Sequence, residues 1–299
     1  KTRNNKFIKG VLSDIYTMLV IFLGEPPDKF SWEYYSKSDT NKNKNKNNKK
    51  SKKGGENLRN DINMKMLKNK SSKSNSSSKD NHNKYNIVKN ITPLDFYKKY
   101  SGFNVDNMIT LINYPGKPIN KLYNVESSNN MVNGMENNYV NVPIDLLKLL
   151  TKISIDDDCA VWFACDVGKY MSQKLGVLDK DAFNIKDTIG FDYDMSKEDM
   201  LKYRVSEPSH AMILKGYTMN KLEIKGKNIK LDVNKWLVEN SWGDMTKKHG
   251  NFTMSDKWFS DYVYEIMVDK KYLSKKLLSV LKTKPVVLPM WDPFGNLLN

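Results

Sequence analysis

Apolar side chains recur at helical spacing through residues 6–23, FIKGVLSDIYTMLVIFLG, and Gly24-Glu25-Pro26-Pro27 ends the run. Phe30-Ser31-Trp32-Glu33-Tyr34-Tyr35 predicts a strand. Thr92 is placed to cap a short helix that Pro93 opens, because proline gives up no needed donor at a first helical position. Residues 107–123 alternate loosely around two prolines and predict strand and loop. Pro143 to Ile153, PIDLLKLLTKI, is amphipathic, and Ala160 to Cys165 is a continuous apolar run suited to a buried strand. Asp166 then reads as the cap of a helix over Val167–Leu175, with Gly176 at its C-terminal end. A strand-rich block follows from about 210 to 268, then a helical stretch near 269–282. Helices are thus expected to dominate before 180 and strands after 205, which makes the fold class α+β. No internal repeat is visible.

Composition changes this picture at one place. The net charge of +15 looks like a nucleic-acid signature until it is located. Residues 37–90 hold sixteen Lys or Arg against four Asp or Glu, whereas the other residues are nearly balanced. That Asn/Lys/Ser-rich segment lacks Trp and Phe and has too little apolar surface to offset its ordering entropy, so it reads as a disordered insertion. A polybasic arm for nucleic acid is the other reading of the same charge, although only Tyr85 supplies an aromatic surface for stacking. Salt-sensitive binding that vanishes on deleting 37–90 is its test.

No run approaches the ~18 consecutive apolar residues of a membrane span. Two cysteines exclude a disulfide scaffold, and with three histidines no metal site or cofactor is expected. Asp156-Asp157-Asp158 and the Asp192/Asp194 pair read as loop or capping carboxylates rather than cation ligands. The chain begins at Lys1 with no signal-like stretch after it, and is expected to be a piece of something longer. Few cysteines and no secretory signal point to a reducing, cytoplasmic setting.

The candidate chemistry lies in two segments. His210 opens the apolar run His210-Ala211-Met212-Ile213-Leu214, and Trp236-Leu237-Val238-Glu239-Asn240-Ser241-Trp242-Gly243 follows about thirty residues later. If the two strands pair about a turn at Ile224–Ile229, position 210 comes opposite position 240, to within a few residues. An imidazole beside a primary amide has a use: the amide oxygen accepts the ring N–H, and the other ring nitrogen is left to deprotonate a nucleophile. Trp242 could shield that bond from water. Spacing alone leaves the plainer alternative open, a strand histidine satisfied by a backbone carbonyl. His82 in the insert and His249 in a Lys-Lys-His-Gly loop read as solvated.

The strings themselves add to the spacing. His-Ala-Met before an apolar strand, then Asn-Ser-Trp-Gly, resemble the histidine and asparagine segments of papain-like cysteine peptidases. Gly24-Glu25-Pro26-Pro27, Thr92-Pro93-Leu94-Asp95-Phe96-Tyr97, Trp162-Phe163-Ala164-Cys165-Asp166, Trp258-Phe259-Ser260-Asp261-Tyr262 and Leu288-Pro289-Met290-Trp291-Asp292 narrow the resemblance to the bleomycin hydrolase, or aminopeptidase C, branch. The blocks are collinear from about residue 6 to the end.

The resemblance implies a papain-like fold in which His210 is the general base and Asn240 orients it, supported by Trp242. It implies a cysteine aminopeptidase acting through a thioester, on peptide substrates with a free N-terminus. That family's nucleophile lies in a Gly-x-Cys-Trp-type segment, which this chain lacks, so a preceding segment is expected to carry it. Cys159 follows three aspartates that disfavour a thiolate, and Cys165 matches a non-catalytic cysteine of the motif. The family also implies a hexameric barrel, with nucleic-acid binding known among such barrels, and a C-terminal tail in the cleft, which would make Asn299 a substrate-gauging carboxylate. The plain alternative for the tail is an apolar anchor. On this reading residues 1–36, 91–204 and 205–268 belong to the peptidase, 37–90 is the insert, and 269–299 is a C-terminal helix with the tail. A catalytically inactive assembly subunit is the remaining alternative, which the intact His210, Asn240 and Trp242 argue against.

Overall fold

The computed structural model describes residues 2–37, 83–102, 104–129, 134–183, 185–191, 194–225, 228–243 and 250–298. His82, His249, Asn299 and residues 38–82 of the insert lie outside them. The described chain falls into two bodies divided between Val105 and Asp106, inside the stretch expected as one segment over 91–204.

The first body contains helix α1 (Thr2–Leu23), strands β1 (Phe30–Lys37) and β2 (Asn83–Ile91), and helix α2 (Pro93–Tyr100). Thr92 caps α2 as expected, its Oγ1 accepting from the Asp95 amide at 3.1 Å. The helix packs on the hairpin through aromatic rings: Phe96 and Tyr100 meet Trp32 edge-on at 4.8 and 4.9 Å, and Trp32 stacks on Tyr34 at 4.2 Å. Strand β2 corrects the expected insert, because its residues 83–90 are ordered in an antiparallel ladder running from Lys37↔Asn83 to Phe30↔Ile91. Composition averaged over the whole segment hid Tyr85, Ile87 and Val88, strand formers with β1 as a template. Tyr85 donates to Glu33 and its ring meets Tyr35 at 5.2 Å.

The second body is built on one sheet of eleven strands: β3 (Met108–Ile112), β4 (Leu122–Val125), β5 (Asn138–Asn141), β6 (Val161–Cys165), β7 (Met171–Ser172), β8 (Val177–Leu178), β9 (His210–Lys225), β10 (Asn228–Glu239), β11 (Asn251–Ser255), β12 (Val263–Asp269) and β13 (Val286–Leu288). Their spatial order is β13-β4-β5-β3-β12-β6-β9-β10-β11-β8-β7. Helices α3 (Ile144–Asp156), α4 (Ile185–Ile189), α5 (Lys197–Lys202), α6 (Asp256–Tyr262) and α7 (Lys275–Val280) complete it.

Strand alternation divides the core between the two sheet faces. Leu111, Leu122, Val140 and Ile266 join the larger cluster with Leu147 of α3, Phe259 of α6 and Leu277 of α7. Their neighbours Ile112, Tyr123 and Tyr139 face the other way, into a smaller cluster with Leu201 and Phe294, which Tyr264 joins beside an irregularity in β12. Such burial, at roughly 25 cal/mol per Å² of apolar surface, is what holds helices and sheet together.

Two expectations fail here. Strands β3–β8 lie before 180, so helix does not dominate that half. The helix expected over Val167–Leu175 is instead a turn followed by the β7–β8 hairpin, in register Met171↔Leu178 and Ser172↔Val177. Gly176 serves the hairpin turn at φ +63 rather than ending a helix. The alternative wins because β8 also pairs with β11, and the Gly176 carbonyl accepts from the Thr253 amide at 2.8 Å. The C-terminal segment docks firmly: Phe294 stacks at 4.8 Å on Tyr114, whose hydroxyl donates to Asp292 at 3.2 Å.

Glu265 of β12 is buried on the smaller-cluster face, opposite Ile112, and burial pushes its carboxyl up to about 8. The folded chain therefore holds a proton there that the unfolded chain has released, and stability falls as pH rises from the normal carboxylate range toward 8. Lys197 opposes this: burial lowers it to about 7, so its contribution rises with pH above 7. Glu265→Gln is expected to melt like the parent at pH 5 and above it at pH 8. An equal difference at both pH values would contradict the assignment.

Candidate active site

His210 is the first residue of β9, in register with Cys165 at the end of β6. Strands β9 and β10 pair from Lys225↔Asn228, through several bulges, to Ile213↔Glu239, two residues from the register expected for a turn centred on residue 225. The side chains nevertheless meet: His210 Nε2 lies 2.9 Å from Asn240 Oδ1. The same Oδ1 accepts the Ser241 amide N–H at 2.8 Å. That second bond fixes the amide orientation, since a flipped Asn240 would set an NH₂ against a backbone donor. With an acceptor at 2.9 Å, Nε2 carries the imidazole proton and Nδ1 keeps its lone pair.

The support is built from β10 and β11. Asn240 is 7% exposed, and its backbone N–H donates to the Gly250 carbonyl at 3.0 Å. Gly250 has φ +76, and a Cβ there would meet the Gly243 carbonyl oxygen at 3.0 Å. Only glycine allows that approach without strain. The Trp242 ring lies 4.9 Å from the imidazole at 35° and packs against the large core cluster. One side of the imidazole is thereby covered by an apolar ring, and the His210–Asn240 bond gains strength from the lowered local dielectric. The role of Gly250 was missed from sequence, where a lone glycine carries no signal of its partner.

Neither cysteine supplies a nucleophile to this dyad. Cys159 precedes β6 at the end away from His210, six residues before Cys165, or roughly 20 Å along an extended chain. Cys165 sits opposite His210, but its thiol is fully buried, and burial together with the Asp166 carboxylate raises it well above the ordinary range. Thiolate is the reactive form, so Cys165 is inert at neutral pH. In the native chain a thiol reagent is expected to modify Cys159 alone, with Cys165 reacting only on unfolding. Two fast thiols would contradict this burial.

Three of the aspartates read as loop carboxylates, Asp156, Asp157 and Asp194, have protein partners. Asp156 pairs with Lys152 at 2.5 Å and accepts from Tyr217 at 2.7 Å, and Asp157 accepts from Lys271 and Tyr272 at 2.5 and 2.6 Å. Asp194 pairs with Lys180, and Asp192 lies outside the described residues. Among the described residues no group of three or more His, Cys, Asp or Glu is placed to hold a metal, and no helix is long and apolar enough to cross a membrane.

The α+β expectation holds, and a β-sheet histidine–asparagine pair under a tryptophan is the arrangement that the resemblance to papain-like peptidases implies. Residues 2–53 and 62–295 match the Peptidase C1-like family, and the chain belongs to it. Aminopeptidase C of Listeria monocytogenes serovar 1/2a (strain ATCC BAA-679 / EGD-e) is 35% identical over 289 residues, 96% of this chain and 54% of that protein. Bleomycin hydrolase of Homo sapiens is 35% identical over 292 residues, covering 96% and 53%. The crystal structure of PepW from Lactobacillus rhamnosis HN001 superposes with a TM-score of 0.72 at 32% identity, over 96% of this chain and 54% of that one. The chain spans about half the length of the curated relatives it matches.

Proposed function

We propose that this chain supplies the general-base half of a cysteine aminopeptidase, its nucleophile being carried by a segment outside the 299 residues. The observation that carries this reading is the 2.9 Å contact between His210 Nε2 and Asn240 Oδ1, which leaves Nδ1 free to take a proton. In the reaction, Nδ1 removes the thiol proton as sulfur attacks the carbonyl of the substrate's N-terminal residue. Collapse of the tetrahedral intermediate breaks the C–N bond, and the imidazolium returns that proton to the departing amine. Water, deprotonated by the same nitrogen, then cleaves the thioester and regenerates the thiol. Asn240 holds the ring through both transfers, and Trp242 keeps water from the orienting bond.

The substrate class is peptides with a free N-terminus, in line with the aminopeptidases among its relatives. A terminal carboxylate at Asn299 would bind the substrate's ammonium by a charge-assisted bond and limit cleavage to the chain end. A hexameric assembly in the cytoplasm belongs to the same reading.

The test compares hydrolysis of a fluorogenic aminoacyl amide by this chain alone and by the chain co-expressed with its upstream coding segment. Activity in the second preparation only is the expected result. Activity in the chain alone would overturn the assignment of the nucleophile. A folded but silent pair would favour an inactive subunit.

A further inference from the structure

At His210 the strand is held by its ladder with β6. Pairing of β9 with β10 ends at Ile213↔Glu239, so among the described residues β6 is the one strand that pairs with residues 210–212. Beyond that ladder, the chain entering His210 is tied back by side chains on the opposite face of the sheet. The Ser209 amide donates to the Cys165 carbonyl at 3.0 Å, extending the pairing by one residue. Asp166, next on the β6 side, accepts from Ser206 Oγ at 2.8 Å. The Ser206 oxygen in turn accepts from the Tyr264 hydroxyl of β12 at 2.6 Å. Ser206 and Tyr264 are 1% and 0% exposed, so no solvent competes for these bonds.

Hydrogens run one way along this chain, from tyrosine to serine to carboxylate. Ser206 is its centre, using its only hydroxyl proton toward Asp166 while accepting from Tyr264. A second tie holds the start of the same segment: Lys197 of α5 donates to the Val263 carbonyl at 2.5 Å and lies 4.7 Å from the Tyr264 ring centroid. Between the ties, Arg204 takes φ +55, a left-handed turn that a non-glycine residue adopts at a cost. The Val205 and Ser206 amides close that turn on the Met200 carbonyl at 2.8 and 3.3 Å. Residues 197–209 thus form a strap clamped at both ends on β12 and β6, and it delivers the chain to His210.

We propose that Ser206 and Asp166 are positioning residues for His210, acting by fixing the backbone that carries the imidazole. The proposal rests on the reading of His210 as the general base. Neither residue touches the ring. Their effect is on where its Cα sits relative to Asn240, and a hydrogen bond of 2.9 Å tolerates only a few tenths of an ångström of drift. Ser206→Ala removes the central hydroxyl, leaves Tyr264 with a buried unsatisfied O–H and frees Asp166 to turn to solvent. Ser206→Thr keeps the hydroxyl.

The experiment has two arms. In this chain, the His210 Nε2–H proton, identified by its absence in His210→Ala, is followed by NMR for protection from exchange with water. It is expected to be protected in the parent and in Ser206→Thr, and to exchange rapidly in Ser206→Ala and Asp166→Asn. In the enzyme completed by its upstream segment, Ser206→Ala is expected to lower kcat about 10-fold with KM little changed, since a displacement of ~1 Å can cost up to 100-fold. Ser206→Thr is expected to restore most of that loss. A folded Ser206→Ala chain with a protected proton and undiminished kcat would overturn the proposal. If Ser206→Ala does not fold, Asp166→Asn, altered at a half-buried carboxylate, decides on the same readouts. Survival of turnover in His210→Ala is the separate result that would remove the base assignment itself.

Discussion

Turnover of a fluorogenic aminoacyl amide by the completed enzyme is expected to fall at least ~1,000-fold when His210 becomes alanine, within the range general acid–base catalysis supplies. The same Nδ1 is asked to take a proton from the thiol, return it to the amine and activate water. Glu239, a carboxylate at the same end of β10, is paired with Lys215 at 2.7 Å. Asn240→Ala should cost less. It removes one hydrogen bond to the ring, worth ~1.4 kcal/mol or about tenfold in rate, while the Trp242 ring still limits the imidazole's rotation at 4.9 Å. The loss should appear in kcat, because neither group is proposed to hold the substrate in its ground state. His210 is half-buried at a strand end, so the urea midpoint of His210→Ala should stay near the parent's and show that lost rate is not lost fold. Undiminished turnover in His210→Ala, or a larger loss in Asn240→Ala, would remove the assigned roles.

The pairing of those two residues was legible because a hairpin constrains two positions with one turn. The register at this end lies two residues from the expected one without spoiling the contact, since an imidazole and an amide each reach several ångströms from their Cα. Helices with punctuation were also legible: Thr92-Pro93 and Pro143 stand where α2 and α3 begin. The segment after Cys165 was misread for the opposite reason. Asp166 and Gly176 are good helix-capping residues, but each has a partner remote in sequence, Ser206 for the aspartate and Thr253 for the glycine carbonyl. Tertiary bonds of that kind decide between a helix and a hairpin of ten residues, and no local pattern announces them. The strap of residues 197–209 escaped notice likewise, because Ser206 draws its importance from Tyr264, far along the chain. In β2, a short run of strand formers was diluted by the lysines and asparagines around it.

The largest loss of stability is expected at Trp236, where packing and polar bonding can be separated by magnitude. This side chain is 1% exposed, meets the Phe259 ring at 4.9 Å and donates from Nε1 to Asp256 Oδ1 at 3.1 Å. The other oxygen of Asp256 takes the Lys148 ammonium at 2.6 Å, and Lys148 also donates to Ser260 Oγ at 2.7 Å. Trp236→Ala empties a core site and is expected to cost about 4 kcal/mol, mostly transfer and cavity terms. Asp256→Ala leaves the packing alone but strands a largely buried ammonium and an indole N–H. Loss of one partner from a buried pair costs about 3–5 kcal/mol, and the partial exposure of Asp256 places this case at the lower end. Trp236→Phe keeps most of the volume and gives up only a hydrogen bond to a carboxylate that retains Lys148, about 1–2 kcal/mol. Urea denaturation at neutral pH should therefore rank the variants Trp236→Ala, Asp256→Ala, Trp236→Phe in falling severity. Were Trp236→Phe as damaging as Trp236→Ala, the indole–carboxylate bond rather than the filled core would be what holds α6 to β10.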